Sequence, residues 1–113
     1  QSVFQGRLAV ATDAQRTDAQ QICRNLLLDD GAVAYAKPEL EILADDVKCS
    51  HGATIGDLDA ASLFYLRARG LGETEARAML IDAFIADTFA DVAEEGVQLA
   101  YRRMLDAWLE TAP

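Results

Sequence analysis

Sulfur, imidazole and positive charge are all scarce in this chain. Its 113 residues include two cysteines and one histidine, too few for a disulfide framework or for a complete zinc site supplied by one chain. A reduced, cytosolic setting fits that cysteine usage. Basic residues number 10 against 19 acidic, a formal net charge of −9, which argues against nucleic acid or an anionic membrane surface as a partner. No apolar run is long enough to span a bilayer, and no stretch has the layout of a signal peptide. Only two prolines interrupt a composition that is 51% hydrophobic, as in a folded domain and unlike a disordered one. One modest core is expected at this length. No initiator methionine precedes Gln1, and the first residues already alternate like a strand; both features read as a piece of something longer.

The scarce residues meet in one place. Asp45 to Thr54 holds the sole histidine, His51, and one of the two cysteines, Cys49. On an extended backbone they fall on the same face, roughly 7 Å apart along the strand. A thiolate and an imidazole so placed can ligate iron or zinc, or act as a nucleophile and its base. The structural reading stands beside both: free cysteine is among the most buried residue types, and a small core hydrophobe needs no chemistry. On residue types alone the structural reading leads. The thiol-enzyme reading is weakened because thiol–imidazole pairs of hydrolases come from separate elements with local signatures absent here.

Around this stretch the chain changes character. Ser2 to Ala11 alternates, with Phe4, Leu8 and Val10 on one parity, and predicts a half-buried strand. Thr12 to Gln15 is a turn, and Gln15 to Gln21 a polar stretch without an apolar face. Ile22 to Leu28 predicts a second extended segment, with Leu26, Leu27 and Leu28 buried on both faces. Asp29-Asp30-Gly31 signals a turn, Ala32 to Ala36 a weak strand, and Pro38 to Ala44 another, with Leu40 and Ile42 inward and Glu39 and Glu41 outward. Asp45-Asp46 interrupts before a short strand at Val47 to Cys49. Short strands with no helix between them fit a sandwich edge or the last coils of a β-solenoid, although no clean internal repeat is visible, as befits a terminal cap. Cys23 carries only a core expectation.

After Gly56 the pattern turns helical. Asp59 is placed as an N-cap, and Gly70 as a left-handed stop followed by apolar Leu71. Glu73 and Glu75 suit the first turn of the next helix. That helix, predicted over Glu73 to Val92, carries two apolar stripes: Ala76, Met79, Leu80, Ala83 and Phe84, and Ile81, Ile85, Phe89 and Val92. Two such stripes need two covering surfaces. A last helix, Val97 to Leu109, aligns Val97, Tyr101, Met104 and Trp108. A self-contained three-helix bundle would satisfy these patterns; so much apolar helix surface on so small a piece favours a docking surface.

The run Leu40-Glu41-Ile42, then Ala44-Asp45-Asp46-Val47-Lys48-Cys49-Ser50-His51-Gly52-Ala53-Thr54-Ile55-Gly56, resembles the C-terminal signature of the SufB/SufD family of the SUF iron–sulfur cluster assembly system. Arg24-Asn25-Leu26-Leu27-Leu28 and Leu63-Phe64-Tyr65-Leu66-Arg67-Ala68-Arg69-Gly70 extend the likeness over essentially the whole chain, and Cys49-Ser50 before His51 favours the SufD branch. The departures are minor: Gly72 stands where the family often has proline, and Cys23 lies before the Arg24-Asn25 pair without an evident role.

The resemblance implies a mixed β and α fold. Residues 1–56 would be the terminal strands of a right-handed parallel β-helix, and residues 57–113 a small helical domain that docks the ATPase subunit SufC. It further implies a cytoplasmic, non-catalytic scaffold that pairs with SufB along terminal β-helix strands and carries a transient iron–sulfur cluster or iron at the subunit interface. His51, with Cys49, would be the metal-binding pair. No resident cofactor is expected in the isolated piece, and its exposed strand edge makes a homodimer of it conceivable. The residues agree in one respect: two donors fall short of the four that a tetrahedral iron site takes, so a second chain would have to complete it.

Overall fold

Parallel pairing organises the first half of the chain. The computed structural model describes residues 1–111, and contacts divide the chain into Gln1–Asp57 and a helical unit from Leu58 onward. Four strands, β1 (Ser2–Val10), β2 (Asp18–Leu27), β3 (Ala34–Ile42) and β4 (Lys48–Asp57), precede three helices, α1 (Ala60–Ala68), α2 (Glu73–Thr88) and α3 (Glu95–Leu109). The fold class is therefore mixed strand and helix.

The strands form two two-stranded parallel sheets, β1 with β3 and β2 with β4. The chain visits the sheets alternately, so each β1 residue pairs with the residue 32 positions later (Ser2 with Ala34). Each β2 residue pairs with the one 30 positions later (Asp18 with Lys48). This repeat is carried by the backbone and hardly at all by residue identity, which is why it is invisible as a sequence repeat. In parallel strands paired residues share a face. Phe4, Gly6, Leu8 and Val10 thus stand over Ala36, Pro38, Leu40 and Ile42.

Stacked turns hold the register. Leu43 N–H donates to Val10 O at 2.9 Å, Arg16 N–H to Asp46 O at 2.6 Å and Lys48 N–H to Thr17 O at 2.9 Å, while Asp46 N–H donates to Gln15 Oε1 at 2.9 Å. Arg16 takes a left-handed backbone, φ 64. These bonds satisfy turn groups that would otherwise be left without partners, and they fix where β4 begins.

Several local expectations shift. The polar stretch before Ile22 belongs to β2, which starts at Asp18: its polar residues serve as ladder backbone regardless of side chain. The two segments around Pro38 are one strand. Proline is tolerated because a two-stranded sheet leaves β3 with an unpaired edge. The strand at Cys49 runs on to Asp57, since the backbone of Gly52 to Gly56 pairs with Ile22 to Leu26. Ile42, expected inward, is 39% exposed, and Glu39, expected outward, is half-buried and bonded to Lys37 at 2.8 Å.

In the helical unit, Asp59 caps α1 by accepting from Ser62 N–H at 2.7 Å, as its position before an apolar run predicts. Gly70 closes the helix at φ 98. Its N–H reaches Arg67 O and the Leu71 N–H reaches Leu66 O, the paired bonds of a Schellman stop. α2 ends at Thr88, short of the expected Val92. Phe89 N–H bonds three residues back to Ala86 O, tightening the last turn. The Phe89 ring stacks on Tyr101 of α3 at 4.1 Å, a contact that needs the chain to fold back. Asp82 and Arg102 form an ion pair between the same helices.

The core is thin. Among the described residues only Val10, Ala44, Ala76 and Leu105 are buried hydrophobics. Full burial of a valine or leucine contributes about 1.5–3 kcal/mol, so two such side chains and two alanines supply little. Large apolar groups stay exposed on the helices, including Phe64 at 74% and Met104 at 68%, with Tyr65, Met79, Tyr101 and Trp108. The α2 stripe containing Met79 and Ala83 is thus only partly covered, and of α3 it is Leu105, beside the aligned stripe, that is buried.

Candidate functional site

β4 has one neighbour, β2, and its other edge is unpaired among the described residues. Cys49 and His51 lie on this strand two residues apart, hence on one face. Cys49 is half-buried and His51 exposed. The face is the one that β2 lines with Ala19, Gln21, Cys23 and Asn25, all half-buried, and it is therefore the inner face of the sheet.

Register gives each donor its neighbours. Ala19 stands opposite Cys49, and Gln21 opposite His51, with strand axes about 4.8 Å apart. Cys23 lies one step beyond Gln21 on the same face, and Asn25 Nδ2 approaches its sulfur at 3.4 Å and Thr54 O at 3.3 Å. Both cysteines are free thiols. Cys23 and Cys49 stand four residues apart along the register, about 13 Å of strand, beyond the reach of a disulfide.

Among the described residues no group of three or more histidine, cysteine, aspartate or glutamate side chains could hold a metal ion. Cys49, half-buried, and His51, exposed, are two donors on one face of an edge strand. Chemically this is one thiol and one imidazole, two of the four donors that a tetrahedral iron site takes, on a strand whose other edge is unpaired among the described residues. The acidic pair Asp45 and Asp46 sits in the turn, where the Asp46 backbone is engaged by Gln15 and Arg16.

One residue of this face, and one of the other sheet that meets it, went unnoticed in the sequence. Gln21 was part of a featureless polar stretch, and Gly6 one small residue in an alternating strand. Yet Gln21 reaches from β2 to Gly6 on β1: a Cβ at position 6 would collide with Gln21 Nε2 and lie 2.6 Å from Phe4 Cζ. Gln21 Oε1 is buried without a hydrogen-bond partner among the described residues. The acidic turns at Asp13 and Asp45, 32 positions apart, carry the offset of β1 and β3; the 30-residue offset that brings Gln21 beside His51 had no such marker.

No helix among the described residues is long and apolar enough to cross a membrane. Residues 1–84 match the family model described as SUF system FeS cluster assembly, SufBD core domain. The chain is 50% identical over 98 residues, 87% of its length, to an iron–sulfur cluster assembly SufBD family protein of Synechocystis sp.. It is 46% identical over 97 residues to the iron–sulfur cluster assembly protein SufD of Escherichia coli, and 31% identical over 106 residues to SufD of Plasmodium falciparum. These matches cover 86% and 92% of the chain. They cover 22%, 23% and 7% of the three relatives, so the chain spans less than a quarter of their length.

Proposed function

The chain belongs to the SufBD family of the SUF iron–sulfur cluster assembly system, and from that premise we propose that it is the C-terminal part of a non-catalytic, SufD-like scaffold subunit. In this reading β1 to β4 are the last two coils of a right-handed parallel β-helix. The free edge of β4 pairs with SufB, and the helices bind the ATPase SufC. His51, assisted by Cys49, holds iron or a nascent cluster at the subunit boundary, and the cluster is cargo. The setting is cytoplasmic.

One observation carries the proposal: an exposed imidazole and a half-buried thiol share a face of a strand whose outer edge is unpaired. An incomplete donor set suits a scaffold, because ligands drawn from two chains separate when the interface moves and release what they held. The alternating visits to two parallel sheets support the β-helix. Support for a helix-bound partner comes from Phe64, Tyr65, Met79, Met104 and Trp108, large apolar side chains that stay between 45% and 74% exposed.

The test uses the full-length subunit assembled with its partners. His51→Ala is expected to drop iron and acid-labile sulfide after reconstitution to near background, with circular dichroism unchanged; Cys49→Ser should reduce them less. Undiminished cluster content in His51→Ala would reject the ligand role and leave a pairing module.

A further inference from the structure

Gln21 brings an unmet hydrogen-bonding need to the strand position beside the histidine. Its Oε1 is buried and has no donor among the described residues. Leaving such an acceptor without a partner costs about 1–3 kcal/mol, and buried polar groups in folded proteins nearly always find one. Its amide nitrogen lies over Gly6, in space that a Cβ there would occupy.

The neighbouring donor is His51. The two residues are register partners on adjacent parallel strands, so their side chains leave the same face about 4.8 Å apart. Within the face Ala19 and Ala53 offer no donor, Asn25 Nδ2 is directed to Cys23 Sγ and Thr54 O, and the free thiols of Cys23 and Cys49 are weak donors beside an imidazole N–H. The imidazole, by contrast, has a ring N–H to give and lies exposed. A histidine that ligates a metal through one nitrogen almost always donates its other N–H to an acceptor, which fixes the tautomer and raises the basicity of the ligating nitrogen.

We infer that Gln21 is the positioning residue for His51: its Oε1 accepts the N–H of one imidazole nitrogen and thereby holds the other free to face the open edge of β4. This rests on the reading of His51 as a ligand only for its consequence; the hydrogen bond itself concerns the cluster-free protein. Gly6 is the counterpart that lets the carboxamide reach this place.

The test compares the full-length chain with Gln21→Leu, which keeps the bulk and removes the acceptor, and with Gln21→Glu, which keeps an acceptor. In ¹⁵N-labelled, cluster-free protein, the His51 ring is assigned by its loss in His51→Ala. The wild type should show a ring N–H signal protected from water exchange and a single tautomer. Gln21→Leu should lose that signal, and Gln21→Glu should retain it. In the assembled complex Gln21→Leu should weaken Fe(II) binding on the order of 10–100-fold, as loss of an outer hydrogen-bond partner does. Protection of the His51 N–H unchanged in Gln21→Leu would overturn the inference, whatever the cluster measurements give. A bond seen by NMR, with cluster content insensitive to His51→Ala, would instead sustain the pairing and reject the ligand role.

Discussion

Gly6 and Gln21 share one volume from opposite sheets: the carboxamide of Gln21 fills the place where a Cβ on residue 6 would stand, with Phe4 closing it from the side. The missing side chain on β1 is thus what admits a long polar one from β2. Gly6→Ala should destabilise by about 1 kcal/mol, the low end of the overpacking range, because the atoms it would meet are the ends of the Gln21 and Phe4 side chains. Urea denaturation of Gly6→Ala, Gln21→Ala and the double variant should show coupling, the double variant losing less than the sum of the singles. Strict additivity would mean that the two residues do not compete for space.

The two helix-edge glycines should respond with opposite signs. Gly70 sits at φ 98, where a Cβ costs roughly 1–2 kcal/mol, so Gly70→Ala should lower the midpoint of thermal unfolding. Gly96 lies inside α3 with open space around it, and Gly96→Ala should raise the midpoint, through about 0.4–1 kcal/mol of unfolded-state entropy removed.

Acid should loosen the start of α1. The Ser62 hydroxyl and backbone N–H both donate to Asp59 and hold its carboxyl below the usual aspartate value. A carboxyl with a depressed folded pKa binds its proton more readily in the unfolded chain. Its contribution is therefore intact at neutral pH, and it is lost as pH falls below about 3.9 toward the lower folded value. Far-ultraviolet circular dichroism across that window should show helix loss that Asp59→Asn, which caps without titrating, lacks.

Between α2 and α3 the ring contact should outweigh the ion pair. Asp82 and Arg102 are 36% and 48% exposed, and such pairs give about 0.2–1 kcal/mol. The stack of Phe89 on Tyr101 adds about 0.5–1.5 kcal/mol beyond the area it buries. Tyr101→Ala should therefore destabilise more than Arg102→Ala, and only the second effect should shrink in high salt. Equal losses, or a salt-sensitive Tyr101→Ala, would contradict this ordering.

Much was written locally in the residues. Asp59, Gly70 and Leu71 announced the two ends of α1 because caps act over three or four residues and need particular side chains. The placing of Cys49 and His51 on one face followed from strand alternation alone, and the ordered motifs were enough to indicate the family. What sequence could not supply was the pairing of segments 30 and 32 residues apart. That register depends on main-chain hydrogen bonds and stacked turns, which every residue type can form and which leave no mark in composition. The tertiary structure alone therefore set Gln21 beside His51, opened the notch at Gly6, carried β4 on to Asp57, and ended α2 at Thr88 where Phe89 meets Tyr101.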